Sequence, residues 1–407
     1  QQITDDIKFA EMISIPLTII MLLIVFGAAV AAGMPMVVAF CAIGGALLSV
    51  LAISQFTDVS IFALNLITGL GMGLGIDYAL LIVNRFREEL KRGADVETAV
   101  KTTVRTAGHT VMISGFTVAL TLAALIVFPQ TFLKSFAYGG VAVCLMAVAG
   151  AVIALPAALR LLGHRVDKLK IRRGELAPKD EGAWANVARF VMRRPWMTML
   201  TTLAVLITLM LPAFSAEFSQ VDDRVLPKTN PAAVSSQVLR DEFSSNESTP
   251  IEVLLPVIRD ADSLSISDYA LQASSIDHIV RVEAPQGIAI DGQWVPMQPG
   301  MPWPTSTMEA NGFIRMRMFV DLGSRTPAAL DVITQLRELD ASALVGGGSA
   351  DYTDSQNGVA NALPPALLWI AITTLIILFL YTGSLLLPIK AVLLNVLSLG
   401  ATLGVLT

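Results

Sequence analysis

Charged residues are scarce in this chain of 407 residues. Asp, Glu, Lys and Arg make up 15% of the sequence, against about 25% in a soluble globular domain, while apolar residues make up 54%. The mean hydropathy is +0.66. This composition excludes an ordinary soluble protein and indicates a protein embedded in a membrane.

Cysteine and histidine are also rare. The two cysteines, Cys41 and Cys144, lie in apolar runs, so a disulfide framework is excluded and both are interpreted as small core residues. The three histidines, His109, His164 and His278, are far apart and lack the spacing of metal ligands. No hydrolase or phosphate-binding motif is visible either. We therefore expect no enzyme, no metal, no cofactor and no nucleic-acid partner.

Long apolar runs dominate instead, and a helix needs about 20 such residues to cross a bilayer. Residues 12–57 contain no charge, and Gly33-Met34-Pro35 is predicted to divide them into two spans. The chain starts at Gln1 and stops inside an apolar run, so we expect an excerpt of a longer protein. About eight spans are predicted: 13–32, 35–54, 59–83, 110–128, 135–159, 196–214, 363–382 and one that begins near Leu386.

The charges between the spans predict their orientation, because Lys and Arg accumulate on the cytoplasmic side. Residues 84–109 carry six basic and four acidic residues, and residues 160–195 carry ten and four. Residues 215–362, one span further on, carry nine basic and twenty acidic residues and are predicted to lie outside. Residues 184–194 alternate basic and apolar faces, which fits either a helix in the membrane interface or a cytoplasmic helix packed on the bundle.

The outer segment, residues 215–362, is long enough for a domain with its own core. Asn230-Pro231 predicts a helix start, and Pro and Gly crowd residues 285–304, with Trp294 and Trp303, as in a hairpin excursion. Gly346-Gly347-Gly348 is interpreted as a turn. The order β-α-β-β-α-β predicts a ferredoxin-like sandwich, with strands at 250–258, 278–284, 312–322 and 343–345 and helices at 265–274 and 326–339.

One span carries an ionisable pair deep in the bilayer, Asp77-Tyr78. Arg85 marks the cytoplasmic edge, so Asp77 lies roughly 12 Å deeper at 1.5 Å per residue. A carboxylate there costs on the order of 3 kcal/mol unless it is paired, hydrated or protonated, and is a functional hypothesis by default. The alternative is a buried, hydrogen-bonded carboxylate without a role in turnover.

Two neighbouring features bear on this pair. Small residues four apart let another helix approach closely, so the glycines before Asp77 predict a tightly packed, movable face. A dinucleotide loop is excluded there, because no βαβ unit surrounds the run. The next span offers Ser114, Thr117 and Thr121, which could hydrogen-bond Asp77 or bond back to their own helix. The glycines are Gly69, Gly71, Gly73 and Gly75.

Residues 69–90, GLGMGLGIDYALLIVNRFREEL, resemble the signature span of the MMPL (mycobacterial membrane protein large) transporters of the resistance-nodulation-division superfamily. Further matching stretches are LKSFAYGGVAV (133–143), VMRRPW (191–196) and YTGSLLLPIKAVLLNVLSLG (381–400). The resemblance implies a polytopic α-helical bundle of the RND type, with an extracytoplasmic α+β ferredoxin-like porter domain. It also implies a plasma-membrane protein that uses the proton motive force to export lipids or lipid precursors to the cell envelope.

The resemblance also implies roles for particular segments. Asp77 and Tyr78 match the fourth-span half of a proton relay, with Ser114 at the fifth-span hydroxyl. The implied domains are 1–12, the end of the first porter domain; 13–160, spans two to six; 161–195, a basic linker with an interfacial helix; 196–214, span seven; 215–362, the second porter domain; and 363–407, span eight and the start of span nine.

An internal echo predicts the other half of the relay. Residues 5–16 lead from a polar segment into a span, as do residues 354–365, and each leads to a turn marked by proline, Pro35 or Pro388. A second Asp-Tyr pair is therefore expected on the order of 25 to 50 residues beyond Thr407.

The predicted function is proton-driven export of a lipid or amphipathic substrate. The expected partners are that substrate, membrane lipids and protons, with the protein a monomer or a trimer. Two alternatives remain open: a receptor-like, sterol-sensing module that does not need a titrating Asp77, and a subunit that assists protein translocation with proton flux.

Overall fold

The computed structural model describes residues 12, 16–169, 183–215, 230–242, 249–258, 264–295, 308–323 and 326–406. The chain divides into two compact units. The first comprises Gln1–Ala216 with Ala362–Thr407, and the second comprises Glu217–Asn361. Residues 1–11, where the end of a first porter domain was predicted, lie outside the described part.

The first unit is helical. Seven of its described helical segments are long and apolar enough to cross a membrane. Several are continuous through short π or 3-10 turns. The elements are α1 (Pro16–Phe26), α2 (Ala29–Ile53), α3 (Phe62–Lys91), α4 (Val96–Thr103), a π-helix (Val104–Gly108), α5 (His109–Ala123), a 3-10 turn (Ala124–Val127), α6 (Thr131–Ala149), a second π-helix (Gly150–Ala154), α7 (Leu155–Leu162), a 3-10 turn (Gly163–Asp167), α8 (Ala183–Arg193), α9 (Pro195–Met210), a 3-10 turn (Leu211–Ser215), α13 (Gly348–Thr382, which begins in the second unit) and α14 (Leu386–Leu406).

The predicted break at Gly33-Met34-Pro35 is wrong. These residues lie inside α2, and the chain breaks at Gly27-Ala28 instead. Gly27 has φ +66°, a left-handed conformation that glycine adopts without a steric cost. Pro35 is tolerated within α2, because neighbouring helices can satisfy a carbonyl that a proline leaves free in a membrane helix. The described part of α1 is therefore an eleven-residue apolar helix.

A second break mirrors the first. The turn between α13 and α14 contains Gly383, with φ +65°. Pro388, unlike Pro35, stands just inside a helix start, where its missing N–H costs nothing. The echo's turn near Pro388 agrees with the break at Gly383, whereas its turn at Pro35 is wrong, because the break lies at Gly27.

Small residues hold α2, α3 and α6 together. A Cβ at Gly75 of α3 would lie 2.9 Å from the backbone nitrogen of Ala39 in α2. A Cβ at Gly45 of α2 would lie 2.7 Å from the side chain of Met146 in α6, and one at Gly139 of α6 would lie 3.1 Å from Ile67 in α3. Each helix pair therefore meets at a glycine, which is how helices approach closely in lipid, where no hydrophobic effect draws them together.

An arginine ties three elements together at one end of this bundle. Arg87, in the last turns of α3, donates to the carbonyl of Phe26 at 3.0 Å and pairs with Asp167 at 2.6 Å. Phe26 is the last residue of α1, so the guanidinium takes one of the carbonyls that a helix end leaves unpaired. Arg160 pairs with Glu97 at 3.7 Å at the same end. The two basic segments predicted to be cytoplasmic therefore meet each other.

The amphipathic helix α8 does not show the burial that packing on the bundle would produce. Four of its large apolar side chains, Val187, Phe190, Val191 and Met192, are exposed. A position in the membrane interface therefore stays the prediction for this helix.

The second unit is a sheet whose core is shared with two of the described helices. Its strands lie in the order β4-β3-β2-β6-β1-β7, with β5 paired to β6. Strand β6 separates β1 from β2 and is antiparallel to both, which is the split βαβ arrangement of a ferredoxin-like sandwich. The described elements are α10 (Pro231–Glu242), β1 (Ile251–Pro256), α11 (Ile266–Ser274), β2 (Ile279–Ala284), β3 (Gly287–Ile290), β4 (Gln293–Trp294), β5 (Glu309–Ala310), β6 (Phe313–Val320), α12 (Pro327–Leu339) and β7 (Leu344–Gly346).

The predicted ferredoxin-like fold is confirmed, and local chemistry explains its element ends. Ser265 and Thr326 cap α11 and α12, and each side chain accepts a hydrogen bond from the third residue after it. Alternating residues of β1 and β6 are buried and form the core with both helices. The predicted hairpin excursion begins as β3–β4 around Asp291-Gly292, while Trp303 lies outside the described residues.

Candidate functional site

Asp77 and Tyr78 lie at the middle of α3. This helix has thirty residues, and Asp77 is the sixteenth of them. At 1.5 Å per residue α3 is about 45 Å long, which exceeds the roughly 30 Å hydrocarbon core. An Asp at its midpoint is therefore far from either end of the helix.

The two residues point to different surroundings, because neighbours on a helix are 100° apart. Tyr78 is buried, with 3% of its surface exposed. Asp77 is exposed on the outside of the bundle and forms no hydrogen bond or ion pair with any described residue. In a membrane such a carboxylate needs water, a proton or a partner from outside this bundle.

Tyr78 reaches from α3 to α5. A Cβ added at Gly115 would lie 3.3 Å from the Tyr78 hydroxyl, a tight contact that a glycine avoids. The Ser114 side chain lies beside the hydroxyl, with Cys144 and Asp77 nearby. The hydroxyl is fully enclosed, and no described group meets it at full hydrogen-bonding geometry. The structure thus brings Asp77, Tyr78 and Ser114 into one neighbourhood.

Sequence reasoning missed Gly115 and Cys144 as neighbours of Tyr78. Gly115 adjoins Ser114 and lies on the buried side of α5 with Val111 and Ala119, a spacing that could have identified it. Cys144 belongs to α6, and nothing in the local sequence signals its position beside Tyr78.

The four glycines before Asp77 do not share one packed face, so that grouping needs correction. Gly71 and Gly75 pack against α2, where a Cβ at Gly71 would lie 2.7 Å from Ile43. Gly69 and Gly73 have nothing within 4 Å of an added Cβ, and both are exposed with Asp77. Residues two apart lie about 200° apart on a helix, so an alternating run must divide between two faces. The packed face holds α3 in place, and the open face carries the carboxylate.

The hydroxyl side chains of α5 also differ in what they contact. Thr117 donates to the carbonyl of Ile113 at 2.7 Å, and Thr121 donates to that of Thr117 at 2.9 Å. Of the two interpretations, bonding back to the helix holds for these residues. Ser114 is exposed next to the Tyr78 hydroxyl instead.

The histidines have separate surroundings. The His109 ring lies 6.1 Å from that of Tyr381, and His278 Nδ1 lies 3.0 Å from Asp321 Oδ1. Among the described residues no group of three or more His, Cys, Asp and Glu side chains could hold a metal ion. The chemistry that the Asp77 site offers is proton binding and release at a carboxylate near the middle of a span.

Known proteins resemble this chain along its whole length. Residues 1–198 match the model of the MMPL family. A membrane protein of Streptomyces coelicolor is 35% identical over 98% of this chain and 52% of its own length. The trehalose monomycolate exporter MmpL3 of Mycolicibacterium smegmatis is 32% identical over 100% of this chain and 42% of its own. The chain thus spans about half the length of the curated relatives it matches.

A solved structure has a similar fold. The hedgehog release protein Disp of the water bear Hypsibius dujardini matches 90% of this chain and 52% of its own with a TM-score of 0.59, at 14% identity. This likeness supports the combination of a helical bundle with a ferredoxin-like unit. The seven long apolar helices among the described residues and the sequence relatives show that the chain is a multi-pass plasma-membrane protein. Residues 1–198 thus place this part of the chain in the MMPL family.

Proposed function

We propose that the full protein exports a lipid or another amphipathic molecule and is driven by protons that bind and leave Asp77. The observation that carries the proposal is the position of this carboxylate: mid-span, on the open face of α3, without a described partner. Such a group is neutral when protonated and needs a partner when charged, so its proton can decide which arrangement of helices is stable.

Tyr78 and Ser114 complete the proposed relay. The buried Tyr78 hydroxyl can donate to a carboxylate or water, and Ser114 can both donate and accept beside it. The open face that Asp77 shares with Gly69 and Gly73 gives a partner helix room to approach. The proposal places a second Asp-Tyr pair of the full protein against this face. A charge that crosses 100 mV gains about 2.3 kcal/mol, which can drive such a rearrangement.

The substrate class rests on the relatives. One relative is named as a trehalose monomycolate exporter, which supports a lipidic substrate for this protein. The ferredoxin-like unit is proposed to be the second porter domain, outside the plasma membrane, through which the substrate passes.

The decisive test is Asp77→Asn in the full-length protein. We expect it to abolish both lipid export from cells and proton flux in proteoliposomes, because an amide cannot take up and release the proton. Asp58→Asn is a matched control, since Asp58 is exposed in the loop before α3 and should not matter. Intact export and proton flux in the Asp77 variant would eliminate Asp77 as the group that couples protons to export.

A further inference from the structure

A line of hydroxyls leads from Ser114 toward the end of the bundle where Arg87 lies. Thr110 and Thr106 precede Ser114 by four and eight residues, so all three follow one side of the helix. All three are exposed, unlike Val111, Gly115 and Ala119 on the packed side. The line therefore borders the open side of the bundle, as Asp77 does.

This line of hydroxyls covers the same depth of the membrane as the segment of α3 between Asp77 and Arg85. Thr106 is eight residues from Ser114, and Arg85 is eight residues from Asp77, which is roughly 12 Å in each case. Because α3 and α5 are successive spans, they run in opposite directions. The hydroxyls thus cover the distance between the level of the carboxylate and the basic edge.

The hydroxyl hydrogens point to the backbone and leave the oxygens free. Thr106 donates to the Thr102 carbonyl at 2.7 Å, and Thr110 donates to the Thr106 carbonyl at 3.4 Å. A hydroxyl has one hydrogen and two lone pairs, so each oxygen can still accept a hydrogen bond from water. Neighbouring hydroxyls one turn apart are about 6 Å from each other, a gap that one water molecule bridges.

Two enclosed hydroxyls near the two ends of the line have no hydrogen-bond partner among the described residues. Tyr78 is 3% exposed, and its hydroxyl lies beside Ser114. Thr103 is 1% exposed, and its Oγ1 is unpartnered just before the π-helix that contains Thr106. A buried hydroxyl without a protein partner is costly unless water reaches it. Bulges of the π type are frequent at functional sites, and this one lies where the line meets the basic edge.

We propose that Thr110 and Thr106 hold the water molecules that connect Asp77 with the cytoplasm, so that they are positioning residues for the proton path. The inference rests on the proposed function of Asp77. The proton leaves the carboxylic acid for the nearest water, each water passes one proton to the next, and the last gives it to cytoplasmic water. One proton is transferred, Asp77 becomes a carboxylate, and the hydroxyls are left unchanged.

The test uses the full-length protein in liposomes that contain a pH-sensitive dye, under an imposed pH gradient. Thr110→Val keeps the shape of the side chain and removes its oxygen, and should slow proton flux about tenfold, as the loss of one hydrogen bond from a path would. Thr106→Val should have a smaller effect near the edge, and Thr110→Ser should restore the flux. The matched control is Thr201→Val on α9, where Thr201 is exposed and bonds back to Met197 at 2.8 Å.

A readout in heavy water separates a path residue from a structural one. Thr110→Val should increase the solvent isotope effect on flux, because water-mediated transfer becomes slower, while its melting temperature stays that of the parent. Flux within twofold of the parent in both Thr→Val variants, with Asp77→Asn inactive, would overturn the inference alone. Normal flux in Asp77→Asn would overturn the proposed function and the inference together.

Discussion

The spans of this protein fall into two groups that are equally apolar but packed very differently. In the α6–α7 segment half of the most apolar stretch is buried, and in α3 the share is 39%. In α9 it is 0%, and in α13 and α14 it is 11%. Apolar composition makes a span, but it does not decide what the span packs against.

Glycines mark the closest contacts between these helices. Helices α2, α3 and α6 meet at Gly75, Gly45 and Gly139, whereas α9 contains no glycine. Where α14 does carry glycines, at Gly400 and Gly404, it packs closely on Met210 and Leu209 at the end of α9. An apolar groove of about 530 Å³ lies between α9, α13 and α14 and is lined by seven aliphatic residues. In lipid, close approach of backbones takes the place of the hydrophobic effect.

The largest loss of stability is expected from Gly75→Ala. The added Cβ would lie 2.9 Å from the backbone nitrogen of Ala39, and backbone cannot move aside as a side chain can. We expect a loss of about 3 kcal/mol in the free energy of unfolding, at the upper end of overpacking. The melting temperature in detergent measures it.

Gly44→Ala, at an exposed position of α2, is the control. Nothing lies within 4 Å of its added Cβ, and Ala favours a helix over Gly by up to about 1 kcal/mol. Equal melting temperatures for the two variants would show that the α2–α3 contact does not hold the bundle.

The second-largest loss of stability is expected at the end of the bundle where Arg87 lies. Arg87→Ala removes the ion pair with Asp167 and the hydrogen bond to the Phe26 carbonyl, and only 18% of the Arg87 side chain is exposed. Leaving Asp167 without its cation should cost about 2 kcal/mol, measured as a lower melting temperature. Arg92→Ala removes a pair with Glu89 in which the arginine is 61% exposed, and should cost at most about 0.5 kcal/mol. A similar loss in both variants would contradict a specific role for Arg87 in joining α1 to the bundle.

The sequence predicted the spans and the ferredoxin-like order well, because apolar run length and strand alternation are local properties. Asp77 stood out for the same reason, since one charge in an apolar run is visible without a structure. The first helix break was placed at Pro35 instead of Gly27, because a proline reads as a breaker while its neighbours in the bundle can compensate for it. The division of the four glycines required helix geometry, and the position of Cys144 beside Tyr78 depended on long-range packing.

The smallest expected loss of stability concerns the contact between α13 and α5. Trp369 of α13 donates its indole hydrogen to the carbonyl of Leu120 at 2.9 Å. That carbonyl is available because α5 tightens into a 3-10 turn, so that the N–H of Ala124 bonds to Thr121 instead. Trp369→Phe should cost about 1 kcal/mol, the value of one hydrogen bond.

Backbone amide hydrogen exchange shows which helices lose stability in Trp369→Phe. Backbone amides of α13 near Ala366, which packs on Ala124 and Phe128, should exchange faster in Trp369→Phe, while amides of α2 and α3 keep their rates. The control is Trp196→Phe, since the Trp196 side chain is largely exposed at the start of α9. If exchange rose throughout the bundle, α13 would belong to the same cooperative unit as α2, α3 and α6. If it rose nowhere, the hydrogen bond would not be what holds α13 to α5, and the small residues Ala362 and Ala366 would be sufficient for that contact.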